Sequence, residues 1–344
     1  MKRGLRLPLE VFAVGLAFLF GMLVLLVAGY PPLQALFALF RGAFGTRNAL
    51  GQTLTQATPI LFTSLAFLLG FRSGIFNIGV EGQFLVGAFV AALSGIFIRG
   101  LSFPVHALLA LFLGGLGGAI YALFPALLKV YLGAHEVITT MMLSYVALYL
   151  TSYFVNYPLK APGWVAQTEL VASSARLPRI LPPTQLSLAF PIAIGFAFLV
   201  FWFLERTVPG FSIKAVGMNP EASESRGIPV RKYQVLAFVL SGFIAGIGGG
   251  GEILGVHGRF VDGFSPGYGW DGIAVSLVGR LHPLGCIFAS VLFGMLRAGG
   301  MVMTRVTKVP LDLSLIIQAL VILFVAAPFF IRYLGGLLRR RRML

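Results

Sequence analysis

The sequence predicts an all-α polytopic membrane protein with about ten transmembrane helices and both termini on the inner side. Three observations carry this. Of the 344 residues, 58% are hydrophobic and 11% charged, against about 25% charged in a soluble domain. Mean hydropathy is +0.93. Whole runs such as residues 11–28 are apolar, without the strict alternation of a transmembrane β-strand, and several reach the roughly 20 residues that cross a bilayer core as a helix.

The first crossing is placed at residues 9–29. Lys2, Arg3 and Arg6 give it the look of a signal peptide. The apolar stretch exceeds the roughly 7–15 residues of such a segment and no A-x-A site follows, so it is read as an uncleaved helix. Residues 32–42 read as a short interfacial helix beyond it. Crossings follow at 55–71, 75–98, 105–130 and 136–156. Residues 157–186 carry Pro158, Pro162, Pro178, Pro182 and Pro183 and read as an irregular external loop. After a crossing at 187–205 comes a polar internal loop, 206–232, and then crossings at 231–252, 266–280, 284–304 and 312–332. The whole chain, 1–344, reads as one transmembrane domain.

The net charge of +15 fits orientation better than nucleic-acid binding, because Lys and Arg collect in cytoplasmic loops. With the N-terminus inside, 16 basic residues fall inside and 9 outside, Arg297 lying within a helix. That favours N-in, C-in. Arg339 to Arg342 read as a topology anchor that also meets anionic lipid.

Gly114/Gly118 and Gly242/Gly246 have GxxxG spacing, which lets helix backbones approach closely. G-x-G-x-x-G occurs at Gly246–Gly251 and Gly267–Gly272, but without the strand–turn–helix setting of a dinucleotide site. No phosphate-binding G-x-x-x-x-G-K-[ST] loop occurs, so the chain has no such ATPase of its own. The single Cys286 excludes a disulfide framework and reads as inert core. His106, His135, His257 and His282 lack metal-ligand spacing, and no catalytic constellation is evident. The chain is therefore expected to be neither an enzyme nor the holder of a metal or cofactor.

Intramembrane acids are costly and point first to function. Glu81, Glu136, Glu252 and Asp271 qualify. Asn77 and Glu81 are i, i+4, so a helix there would place them on one face. Glu81 then either contacts substrate or holds broken helix ends together. Glu136 opens a helix, where the dipole favours an acid; a gating role is the competing reading. Thr140 and Ser144, also i, i+4, form a polar stripe or simple interhelical hydrogen bonds. Gly79-Val-Glu-Gly82 and Gly269-Trp-Asp-Gly272 share a G-x-[acid]-G pattern. That is a weak echo of two related halves, as in many transporter folds, or a coincidence in a glycine-rich chain.

The internal loop is the most specific feature. Asn219-Pro220 can start a helix with Pro at its first position, Glu221 and Glu224 fall where the dipole favours them, and Gly227 can end it. The expectation is a short capped helix on the cytoplasmic face.

At this point the residues resemble a known family. Gly217-x-Asn-Pro-x-Ala through Gly227-Ile228 resembles the coupling-helix motif of ATP-binding-cassette importer permeases of the ribose and branched-chain amino acid type. Phe76-Asn-Ile-Gly-x-Glu-Gly-Gln83 with Gly87-Ala88 resembles that family's signature near the substrate path. His135-Glu-Val-Ile-Thr-Thr-Met-Met-Leu-Ser-Tyr145 is similar to the nucleoside subgroup, which carries Asn at the positions of His135 and Ser144. The resemblance implies a permease subunit that moves nucleosides through a prokaryotic plasma membrane by alternating access. Sugars, branched-chain amino acids and riboflavin-like compounds are the alternatives within the class. An ion-coupled carrier using Glu81 and Asp271 is the alternative outside it. The implied partners are a cytoplasmic ATPase that uses the ATP, a second and different permease, an external binding lipoprotein and membrane lipids, with no nucleic acid. The implied pathway or gate residues are Asn77, Glu81, Gln83, Glu136, Thr140, Ser144 and Asp271. The implied coupling residues are Gly217, Asn219, Pro220, Glu221, Ala222, Glu224, Arg226 and Gly227.

Overall fold

The computed structural model describes residues 7–326. Lys2, Arg3, Arg6, Arg332 and Arg339 to Arg342, used above for orientation, lie outside the described residues. Among the described residues the chain is helical and contains no strand, only isolated bridges at Gln167–Val261 and Arg179–Ser187. The helices are α1 (Leu7–Val27), α2 (Pro32–Phe44), α3 (Arg47–Arg72), α4 (Val80–Phe97), α5 (Val105–Leu132), α6 (Glu136–Asn156), α7 (Ala189–Arg206), α8 (Val208–Met218), α9 (Pro220–Ser225), α10 (Val230–Glu252), α11 (Tyr268–Val278), α12 (Pro283–Thr307) and α13 (Leu311–Ala326).

Among the described residues seven helices are long and apolar enough to cross a bilayer: α3, α4, α5, α6, α7, α12, and α10 with its π-helical extension Ile253–His257. The predicted crossing at 266–280 is not among them. There α11 has only 11 residues, about 16 Å of helix at 1.5 Å per residue, against a core of about 30 Å. Gly267, at φ +92, turns the chain into α11, and Gly279 closes it. Of the first and last helices the apolar parts Gly15–Val27 and Leu315–Phe324 are shorter spans, and the predicted crossing at 312–332 runs past residue 326, outside the described residues.

The predicted crossing at 75–98 also changes at its start. Residues 73–79 form a non-helical turn and α4 begins at Val80. Gly74 at φ +82 ends the preceding helix. That helix, α3, starts earlier than predicted because Thr46 Oγ1 accepts the Ala49 amide at 3.0 Å and caps it. The polar loop 206–232 is largely helical, holding α8 and α9.

The chain forms two compact units, Met1–Thr53 with Phe293–Leu344 and Leu54–Leu292. In the second, α4, α5 and α10 pack together as the core. The GxxxG glycines make this possible. A Cβ on Gly118 would sit 3.0 Å from Gly246 Cα, one on Gly246 would sit 3.1 Å from Gly115 Cα, and one on Gly114 would sit 2.8 Å from the Gly87 carbonyl oxygen. Only the missing side chains let three backbones meet. Residues 157–186 contain one 3₁₀ turn, Ser173–Ala175, and are laced to the end of α10 by Leu177 N–H to Leu254 O (2.9 Å) and Val171 N–H to Gly258 O (3.0 Å). In the first unit α1 packs on α13 and α2. There α2 lies on the end of α12, where a Cβ on Gly42 would strike the Val302 side chain.

Candidate functional site

The site grows from the break between α3 and α4. A helix start leaves backbone N–H groups unpaired, and burial makes them costly. Here side chains supply the acceptors. Asn77 Oδ1 accepts from the Gly79 amide (3.0 Å), Thr140 Oγ1 from Ile78 (3.2 Å) and Ser144 Oγ from Gly82 (3.3 Å). The two hydroxyls donate back into their own helix, Thr140 to Glu136 O (2.7 Å) and Ser144 to Thr140 O (3.2 Å). So the polar stripe of α6 is a seam that caps α4.

Asn77 is not helical, so its expected i, i+4 relation to Glu81 does not form. It pairs instead with Gln83. Asn77 Nδ2 donates to Gln83 Oε1 (3.0 Å) and to Ser241 Oγ (2.9 Å), and Gln83 Nε2 donates to Asn77 Oδ1 (3.2 Å). Both amides are buried, at 0% and 1% exposure. Asn77 thus has two donors and two acceptor positions, all used.

Glu81 reaches from the first turn of α4 to the start of α11. Its Oε2 accepts the Gly269 amide at 2.5 Å and its Oε1 accepts the Ser265 hydroxyl at 2.6 Å. The carboxylate is 7% exposed and serves the positive ends of two helices at once. Thr63 Oγ1 donates to Tyr268 O (2.8 Å) and the Tyr268 hydroxyl donates to Gln56 Oε1 (3.1 Å), so α3 holds α11 from its other side. Asp271, half-buried, lies in the first turn of α11 as Glu81 does in α4.

Asn77, Glu81, Gln83, Thr140 and Ser144 therefore gather around the start of α4. Glu136 does not join them: its carboxylate pairs with Lys129 Nζ at 2.6 Å, tying the end of α5 to the start of α6. Ser241, Ser265, Thr63, Gln56 and Tyr268 complete the network and escaped the sequence reading. Of these, Ser241 adjoins the GxxxG pair and Tyr268 lies inside the Gly267–Gly272 pattern, with Ser265 just before it; Thr63 and Gln56 had no signal.

Below the break lies the polar segment. Asn219 Oδ1 accepts the Ala222 amide at 3.0 Å and Pro220 stands at the first turn of α9. Gly227, at φ +79, closes the helix. Gly217, Asn219, Pro220, Glu221, Ala222, Glu224, Arg226 and Gly227 are all exposed. Gly217 also rests on the break: a Cβ on Gly74 would sit 3.3 Å from Gly217 Cα, and one on Gly217 would sit 2.9 Å from the Gly74 nitrogen. Arg72, beside it, donates to Leu281 O at 2.5 Å. The end of α8, which leads into the exposed helix, is thus seated, backbone on backbone, on the turn that leads to the Glu81 network.

Near the end of α10, a cavity of about 460 Å³ is lined by Arg176, Arg179, His257 and Arg259. His257 Nε2 lies 3.5 Å from the buried Glu252 carboxylate.

Apolar crossings, broken helices with polar starts and an exposed capped helix define a multi-pass membrane permease. The chain belongs to the family described as "Branched-chain amino acid transport system / permease component", which matches residues 49–326. It is a permease component. It is 35% identical to the guanosine ABC transporter permease protein NupP of Bacillus subtilis, over 98% of this chain and 97% of that one. It is 32% identical to the nucleoside ABC transporter permease protein NupB of Lactococcus lactis (93% and 91% covered). It is 33% identical to the glucose ABC transporter permease protein TsgB13 of Haloferax volcanii (96% and 90% covered). In the first two organisms a second, more distant permease named for the same substrate also matches.

Proposed function

We propose that this chain is one of two different permease subunits of an ATP-driven importer and that it carries nucleosides across a prokaryotic plasma membrane. The observation that supports this most is similarity along almost the whole chain to a guanosine permease and a nucleoside permease. The paired permeases of those organisms support a second subunit. In this reading both termini are cytoplasmic and the ATPase docks on α9. ATP is bound by that partner and not by this chain. Glu221, Glu224 and Arg226 supply charged contacts, while Gly217, Asn219, Pro220, Ala222 and Gly227 shape the docking surface. ATP-driven movement of α9 passes through Gly217 to the 72–79 turn. The junction of α4 and α11 at Glu81, with Asp271 beside it, then opens or closes the path by alternating access. An external binding lipoprotein delivers the substrate.

A sugar is the second reading, favoured by the 33% identity to the glucose permease. The test is uptake of labelled guanosine, other nucleosides and glucose into proteoliposomes holding this chain with its permease, ATPase and binding-protein partners. Guanosine uptake that stops with a hydrolysis-dead ATPase is expected. Glucose uptake alone selects the second reading. Uptake that follows an ion gradient without the ATPase refutes both.

A further inference from the structure

The first compact unit carries an open groove of about 1060 Å³ between α2, the start of α3 and the end of α12. Its chemistry is divided. Leu33, Phe37, Met301 and Val306 line it with apolar surface, while Arg41 and Arg305 bring two guanidinium groups, each from the last turn of its helix. Among the described residues no carboxylate lines it. Neither arginine has a salt bridge among the described residues. The outer face of α2 is apolar as well: Leu33 is 76% exposed, Phe37 68% and Phe44 47%. In a membrane protein such a face is set toward acyl chains.

The bland account is that the two arginines complement their helix dipoles and extend to the interface. It leaves unexplained why both line one concave apolar groove. A guanidinium near hydrocarbon is costly unless paired, and its planar fork fits a phosphate oxygen pair. A ligand that satisfies both halves has one anionic phosphate head and long apolar tails. Free phosphate meets only the arginines and the neighbouring uncharged polar side chains Gln34, Thr46, Asn48 and Gln52, and a soluble substrate leaves the apolar wall bare.

We infer that this groove is a binding site for an anionic glycerophospholipid, with the phosphate between Arg41 and Arg305 and an acyl chain along Leu33, Phe37 and Met301. The inference does not depend on which solute the permease carries.

The experiment uses the full chain, purified with the subunits that accompany it, delipidated in detergent and titrated with dioleoyl phosphatidylglycerol or dioleoyl phosphatidylcholine under native mass spectrometry. Phosphatidylglycerol should bind in preference. Each basic residue at a membrane surface contributes a factor of about five in affinity, so R41Q/R305Q should weaken it by about thirtyfold. A second variant, Ala49→Phe, keeps both arginines and fills the groove, and should weaken both lipids. Melting temperature and subunit composition show that each variant is folded and assembled. Unchanged phosphatidylglycerol affinity in folded R41Q/R305Q overturns the site. So does displacement by inorganic phosphate at equal concentration, which would make it a simple anion site. Efficient disulfide capture of Met301→Cys by a cysteine on the accompanying permease would make the groove a subunit interface and would also overturn it.

Discussion

Replacing Glu81 tests the junction of α4 and α11 directly. The carboxylate accepts two hydrogen bonds, from Gly269 N–H at 2.5 Å and Ser265 Oγ at 2.6 Å. A hydrogen bond to a charged group contributes about 1.5–3 kcal/mol, and one between neutral groups about 0.5–1.5. Glu81→Gln can keep both contacts, its carbonyl on Gly269 and its amide on a rotated Ser265 hydroxyl. It loses only the charge assistance, about 2 kcal/mol in all. Glu81→Ala removes both acceptors and leaves the Gly269 amide buried without a partner, a loss of about 4 kcal/mol. Thermal melting of the detergent-purified chain should therefore rank wild type above E81Q and E81Q above E81A, and ATP-driven uptake should fall in the same order. Melting of E81A at the wild-type temperature would refute the argument, because the two bonds would then carry no weight. Melting in the expected order with uptake intact in E81Q would make the carboxylate a structural tie and remove it from the gate.

Three further outcomes are expected. Gly118→Leu should prevent recovery of folded protein by size-exclusion chromatography, since even its Cβ would fall 3.0 Å from Gly246 Cα and overpacking costs about 1–3 kcal/mol or more; a well-folded variant would contradict the three-helix core. Gly227→Pro forbids the φ of +79 that closes α9, and should abolish ATP-coupled uptake while membrane insertion, read by protease accessibility, persists; unchanged uptake would refute the coupling role. Lys129→Gln breaks an ion pair whose side chains are 32% and 18% exposed, still open enough to water to contribute only about 1 kcal/mol, so melting and uptake should stay near wild type; abolished uptake would restore Glu136 to the gate.

Much of this was legible in the sequence because burial in a membrane leaves a composition signal. Apolar runs located the seven long helices, and Asn219-Pro220 located α9, since capping is local chemistry. The errors arose where a tertiary partner decides. Residues 266–280 are as apolar as a crossing, yet a left-handed Gly267 and the Glu81 carboxylate fix a short half-helix there. Asn77 looked like a helical neighbour of Glu81, but its bonds to Gln83 and Ser241 hold it in a turn. Ser265 and Thr63 were invisible because an isolated hydroxyl in an apolar chain carries no pattern until its partner, 184 or 205 residues away, is known.

The hydroxyl seam constrains how such a molecule can move. Thr140 and Ser144 cap two amides at the start of α4 and are spaced one helical turn apart. Turning α6 by a single residue, about 100°, would withdraw both acceptors together. It would strand two polar groups where water is scarce, at about 1–3 kcal/mol each. Sliding has the same result, because the next hydroxyl on that face is Thr151. Below several kcal/mol of driving force, α4 and α6 therefore translate and tilt as one rigid plate. Relative motion is left to the cheaper hinges around them, the turn at Gly74 and the glycine entry to α11.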